Sequence, residues 1–160
     1  MSHDEVVDKV CDWVRHEKPD LEIEKEVGYK ITLPNVILKQ SFFRVDIVLS
    51  DKNTGKEIAG IECKSISDSG KFRELMAGVG QAYVFTKYYG RAYLALEVRE
   101  DMLPGRRDYD FWKREAILEN MHQDFGVGIL FVTPNGVSCV REAKYSETPA
   151  DTLFTRVRKK

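Results

Sequence analysis

Three residues in the first half of the chain have types and spacing that can do chemistry: Asp46, then Glu62 with Lys64 two positions on. Suppose that 42–49 and 57–65 are strands joined by a hairpin over Asn53-Thr54-Gly55, with Lys52 against Lys56. Asp46 then lies directly opposite Glu62, Arg44 opposite Lys64, Val45 opposite Cys63 and Ile47 opposite Ile61. Side chains alternate along a strand, so Val45, Ile47, Ile61 and Cys63 share a core face, and Arg44, Asp46, Glu62 and Lys64 share the other. Opposed side chains have Cβ atoms ~4.5–5.5 Å apart. Two carboxylates that close repel unless a cation lies between them. Carboxylate oxygens are what Mg²⁺ and Mn²⁺ prefer. An ammonium on the same face reaches a scissile phosphate or an attacking water. The same four residues would also make a surface salt-bridge ladder, and the residues alone leave both readings open. Glu142-Ala143-Lys144 repeats the Glu-x-Lys pattern, but its expected partner strand, 128–132, has no opposed carboxylate.

Other elements must hold that pair. Val6, Val7, Val10, Trp13 and Val14 recur at helical spacing, predicting a helix over 3–17 that ends before Pro19. Alternation of Leu21, Ile23, Val27, Tyr29 and Ile31 with charged residues predicts a strand with one solvated face. Residues 36–49 and 58–63 read as further strands, and Phe72, Leu75, Met76, Val79 and Tyr83 as the stripe of a helix over 71–88. Gly78 and Gly80 inside that helix point to close packing against the sheet. A strand over 91–96, a polar loop over 99–110, a helix over 111–122 and strands over 128–132 and 137–140 complete the pattern. One domain over 1–145 and a polar, basic tail over 146–160 are expected.

Composition narrows the function classes. With 160 residues, 42% apolar and 32% charged, the chain is an ordinary globular one, and long disorder or fibrous repeats are excluded. A net charge of -1 shows no overall basic field, so nucleic-acid contacts need local clusters. Three cysteines (Cys11, Cys63, Cys139) and three histidines (His3, His16, His122) are widely scattered, which argues against a disulfide framework or a Cys/His zinc site. No apolar run reaches the ~18 residues of a membrane span. The acidic start lacks the features of a signal peptide, so a reducing, cytoplasmic location without membrane contact is expected.

Arg44-Val45-Asp46-Ile47-Val48, a hairpin, then Ile61-Glu62-Cys63-Lys64 resembles the PD-(D/E)xK nuclease superfamily. The first ninety residues look most like the N-terminal nuclease domain of type I restriction-enzyme motor subunits. Val45 stands where the superfamily's proline would precede Asp46. Gln81-Ala82-Tyr83-Val84-Phe85 approaches its QxxxY motif, with Phe85 in place of the tyrosine. The resemblance implies a restriction-endonuclease-like α/β fold, a mixed sheet flanked by helices in α-β-β-β-α-β order. It implies Mg²⁺- or Mn²⁺-dependent hydrolysis of DNA phosphodiesters. Asp46, Glu62 and the backbone carbonyl of Cys63 would hold the ion, with Glu5 reaching it through water and Glu17 and Glu26 as rivals for that place. Lys64 would act on the attacking water, and Gln81 would orient Lys64 or touch the nucleic acid. Arg44, Arg106, Arg107 and Lys113 are the candidate DNA contacts. A homodimer is the arrangement that would cut both strands of a duplex. The alternative is a nuclease-fold binding or assembly subunit that does not cleave.

Overall fold

The computed structural model describes residues 1–31, 41–65, 72–99, 109–147 and 154–157. Helix α1 (His3–Glu17) starts at Ser2, whose hydroxyl accepts the Glu5 N–H. Val6, Val10 and Val14, one turn apart, are buried along its inner side. Strand β1 (Leu21–Ile31) follows, then β2 (Ser41–Asp51), β3 (Glu57–Lys64), α2 (Phe72–Phe85), β4 (Arg91–Glu97), α3 (Tyr109–Phe125), β5 (Gly128–Thr133), β6 (Gly136–Arg141) and β7 (Phe154–Arg156).

All seven strands join one sheet in the order β6-β5-β4-β3-β2-β1-β7. The pairs β3–β4 and β4–β5 are parallel, bridged by α2 and α3, and the others are antiparallel. The order helix, three strands, helix, strand is the one expected, and the fold is a mixed α/β sheet flanked by helices. Valines of α1 pack with Ile47, Leu49, Ala59, Ile61, Cys63, Ala95, Leu130 and Val132 on one face. Leu75 and Ala82 of α2, with Leu118 and Met121 of α3, pack on Leu94, Leu96, Ile129 and Phe131 on the other.

Four expectations need correction. Residues 154–156, expected in a polar tail, form β7 on the edge of the sheet, where Arg156 makes a two-armed bond to Glu24 and an ion pair with Glu57. The hairpin between β2 and β3 turns over four residues, not three, because Asp51 N–H donates to the Lys56 carbonyl. That turn alone would set Asp46 opposite Ile61. A bulge at Ile58 adds one residue and restores the expected register, Ile47 against Ile61.

The third correction concerns faces. Ile47 lies in the α1 cluster, whereas Val45 packs with Val27, Phe85 and Tyr89 on the α2 side. On β1, Lys25 pairs with Asp8 of α1, yet Val27 also faces the α2 side. In a regular strand residues two apart share a face. Both strands switch faces at the same level, where Glu26 adopts a left-handed backbone with φ 53°. A side chain in that region costs ~1–2 kcal/mol, so the kink is held by the packing on either side.

The fourth concerns the helical glycines. A Cβ on Gly78 would meet Lys64 and Leu94 at 3.2 Å, but nothing lies within 4 Å of one on Gly80. On β3, a Cβ on Gly60 would stand 2.5 Å from the buried ring of Tyr89. Gly60→Ala is therefore expected to destabilise the fold by about 1–3 kcal/mol. Gly80→Ala should stabilise it by about 0.5–1 kcal/mol through helix propensity. Urea denaturation of both variants checks the pair of signs.

Candidate functional site

The described pairing of β2 with β3 stops at Ile47 and Ile61, and the candidate residues lie just beyond that point. There the Cys63 N–H donates to Asp46 Oδ2 at 2.8 Å, so a side chain replaces the ladder bond. The N–H and C=O of one strand residue point to the same edge. The Cys63 carbonyl is thus aimed into the gap between the strands. Cys63 itself is fully buried, and burial pushes its thiol well up, leaving a small core side chain rather than a nucleophile.

Glu62 is 4% exposed, and its Oε2 is buried without a hydrogen-bond partner. Burial pushes its carboxyl up to about 8. The Asp46 charge and a hydrogen bond between the two acids add to the shift, while Lys64 opposes it. Lys64 Nζ lies 3.6 Å from Glu62 Oε1, and its stem runs along Gly78 of α2. Without an ion, burial and the Asp46 charge therefore favour the protonated form of this carboxyl, against the pull of Lys64.

The other expected residues are placed as follows. Arg44 is exposed and turns to Glu26 at 4.0 Å, away from Lys64. Gln81 is exposed on α2, one turn beyond Gly78. Glu5 is exposed, and its N–H belongs to the helix cap. Glu17 lines a cleft of about 730 Å³ near the β2–β3 turn, at the other end of α1. Glu26 is exposed across from Asp46 at the kink. Arg106 and Arg107 lie outside the described residues, as does the side chain of Lys113 on α3. Phe85 is buried and stacks on Phe43, a packing role that needs no hydroxyl.

Two contacts of acidic residues were not expected from the sequence. His3 Nε2 lies 3.2 Å from Asp46 Oδ2. Glu97, 4% exposed at the carboxyl end of β4, takes the Met1 amino group at 3.1 Å. His3 stands alone in the sequence, with no motif to mark it. A signal for Glu97 was its charge at the end of an apolar strand pointing into the sheet's interior.

Among the described residues, no three His, Cys, Asp or Glu side chains already stand as a metal-binding group. Two hard carboxylates, one with an orphaned buried oxygen, together with a carbonyl aimed at them, nevertheless fit a divalent cation. None of the helices of the described residues is long and apolar enough to cross a membrane.

No family model matches the chain. No curated protein matches it either. Among solved structures it is similar to Pyrococcus furiosus SfsA in complex with Ca²⁺, at 13% identity and a TM-score of 0.45. The match covers 88% of this chain and 64% of that one, so the chain spans less than two thirds of its length.

Glu62 has a testable consequence. Its folded carboxyl titrates near 8 against an ordinary 4.5, so it favours the ion-free fold fully below about pH 4.5 and that contribution is lost as pH rises through about 8. In chelator, wild-type stability should fall across that window relative to Glu62→Gln. Parallel curves of denaturation midpoint against pH would refute the assignment.

Proposed function

We propose that the chain is a divalent-metal-dependent nuclease that hydrolyses DNA phosphodiester bonds. The observation that carries the reading is the pairing of Asp46 with a buried Glu62 whose Oε2 has no partner, beside Lys64. A structural acid buried with another acid is costly and is normally relieved by pairing or neutral replacement. A cation-binding role accounts for keeping both.

Asp46, Glu62 and the Cys63 carbonyl would hold Mg²⁺ or Mn²⁺. Bound there, the ion supplies positive charge at the scissile phosphate and lowers the pKa of the attacking water. The bound cation would favour the ionised form of Glu62, opposing the effect of burial and of Asp46. Lys64 is held by Gly78 on one side and Glu62 on the other, with a side chain only 13% exposed. From there its ammonium orients the water or a phosphate oxygen and offsets the charge that develops in the transition state. Gln81, exposed one turn beyond Gly78, would touch the nucleic-acid backbone. Arg44, its side chain 72% exposed, is a phosphate contact along β2.

Asp46→Asn should remove Mn²⁺ uptake and plasmid nicking together. Lys64→Met should keep the ion, because both carboxylates remain, and lower nicking by roughly 100-fold or more. Calorimetry with Mn²⁺, beside nicking of supercoiled DNA, reads both effects. Wild-type protein that binds DNA but cuts no form of it with either ion would establish the non-cleaving subunit instead. DNA binding should also weaken steeply between about 50 and 200 mM salt, and Arg44→Ala should flatten that dependence; filter binding across the salt range measures it.

A further inference from the structure

The first turn of α1 brings His3 to the acid pair. The Ser2 cap sets the start of the helix, and Val6 and Val7, three and four positions after His3, are buried against the sheet. Those positions share His3's side of the helix, whereas Glu5, two positions on, is turned by ~200°. The helix therefore offers the site an imidazole rather than the expected glutamate.

Several details favour more than a hydrogen bond. Nε2 points at Asp46 Oδ2, while Nδ1 lies 3.7 Å from Asp4 Oδ1. A histidine that ligates a metal through one nitrogen commonly turns the other toward a carboxylate. The separation of 3.2 Å between Nε2 and Oδ2 is close to the ~3.0 Å between adjacent ligands on an octahedral ion with bonds of about 2.1 Å. Asp46 Oδ2 is anchored from its other side by the Cys63 N–H, so it need not move to accept an ion. Glu62 Oε2, buried and unpartnered beside Asp46, supplies a second anionic donor.

We propose that His3 is a direct ligand of the divalent ion held by Asp46 and Glu62, and that it makes the site favour Mn²⁺ over Mg²⁺. This rests on the nuclease reading for the ion itself, but not on cleavage. The selectivity follows from ligand chemistry. Imidazole nitrogen suits transition-metal ions, whereas Mg²⁺ prefers an all-oxygen shell.

The experiment is pulsed electron paramagnetic resonance of the full chain loaded with Mn²⁺, with ordinary and ¹⁵N-labelled histidine. The chain has only three histidines, so the assignment is simple. Nitrogen coupling is expected in wild type, with the shift in frequency that the label imposes, and its loss in His3→Ala but not in His16→Ala. Calorimetry should show His3→Ala weakening Mn²⁺ binding by roughly tenfold or more and Mg²⁺ binding much less. His3→Glu should narrow or reverse the preference for Mn²⁺. Mn²⁺ that depends on Asp46, but shows no nitrogen coupling and binds His3→Ala as tightly, would overturn the ligand and leave the nuclease reading standing. Mn²⁺ that fails to bind wild type, or binds Asp46→Asn equally well, would overturn both. The wild-type spectrum decides even if a variant does not fold.

Discussion

Two acids held together out of water are the constraint on which the rest of this structure turns. Glu62 is nearly fully buried, Asp46 adds like charge beside it, and one carboxylate oxygen has no partner. Such an arrangement opposes folding, so the surrounding elements must impose it. The parallel strand β4 fixes β3 from one side, placing Glu62 against Leu94. Valines of α1 cover one face, and α2 approaches the other closely enough that a Cβ at residue 78 would press on Leu94 and Lys64 at 3.2 Å. Lys64 lies in the space so made.

The site also needs the sheet to be imperfect. A continuous β2–β3 ladder would bond the Cys63 amide to backbone, and no carboxylate would enter the gap. The kink at Glu26 and Asp46 turns both strands over at once and opens the place where they part. Strain at one exposed backbone position thus stands beside the pair of acids, a common association of unusual dihedrals with chemistry.

Much of the frame was legible because hydrophobic periodicity records burial directly. The valines of α1 and Leu75 and Val79 of α2 encode which side faces the sheet, whereas Met76 and Tyr83 of the expected α2 stripe are exposed and the alternation of β1 changes face at Glu26. The acid pair was legible because Asp46, Glu62 and Lys64 lie on neighbouring strands joined by a short turn. Its register came out as expected for a reason the residues did not show, since a longer turn and the bulge at Ile58 offset one another. The separation of Val45 from Ile47 could not be read, because both are apolar and only a backbone dihedral divides them. His3 was hidden for a different reason. Its contact spans 43 positions, and nothing local distinguishes a histidine in a helix's first turn from a solvated one. Strand β7 was masked by composition, as a charged Arg156 looks like tail until Glu24 and Glu57 receive it.

The bulge at Ile58 also bears on the order of events in time. Because it lies within a local hairpin, the strands that carry the two acids can meet in ~1–10 μs, long before the parallel crossovers assemble. At that moment water still surrounds both carboxylates, and their repulsion is small. The penalty grows only when α1 and α2 close over the strands, late on the path. An ion that relieves it would then act mainly after the rate-limiting step. It would lengthen the lifetime of the folded protein by slowing unfolding, and would do little to hasten its formation.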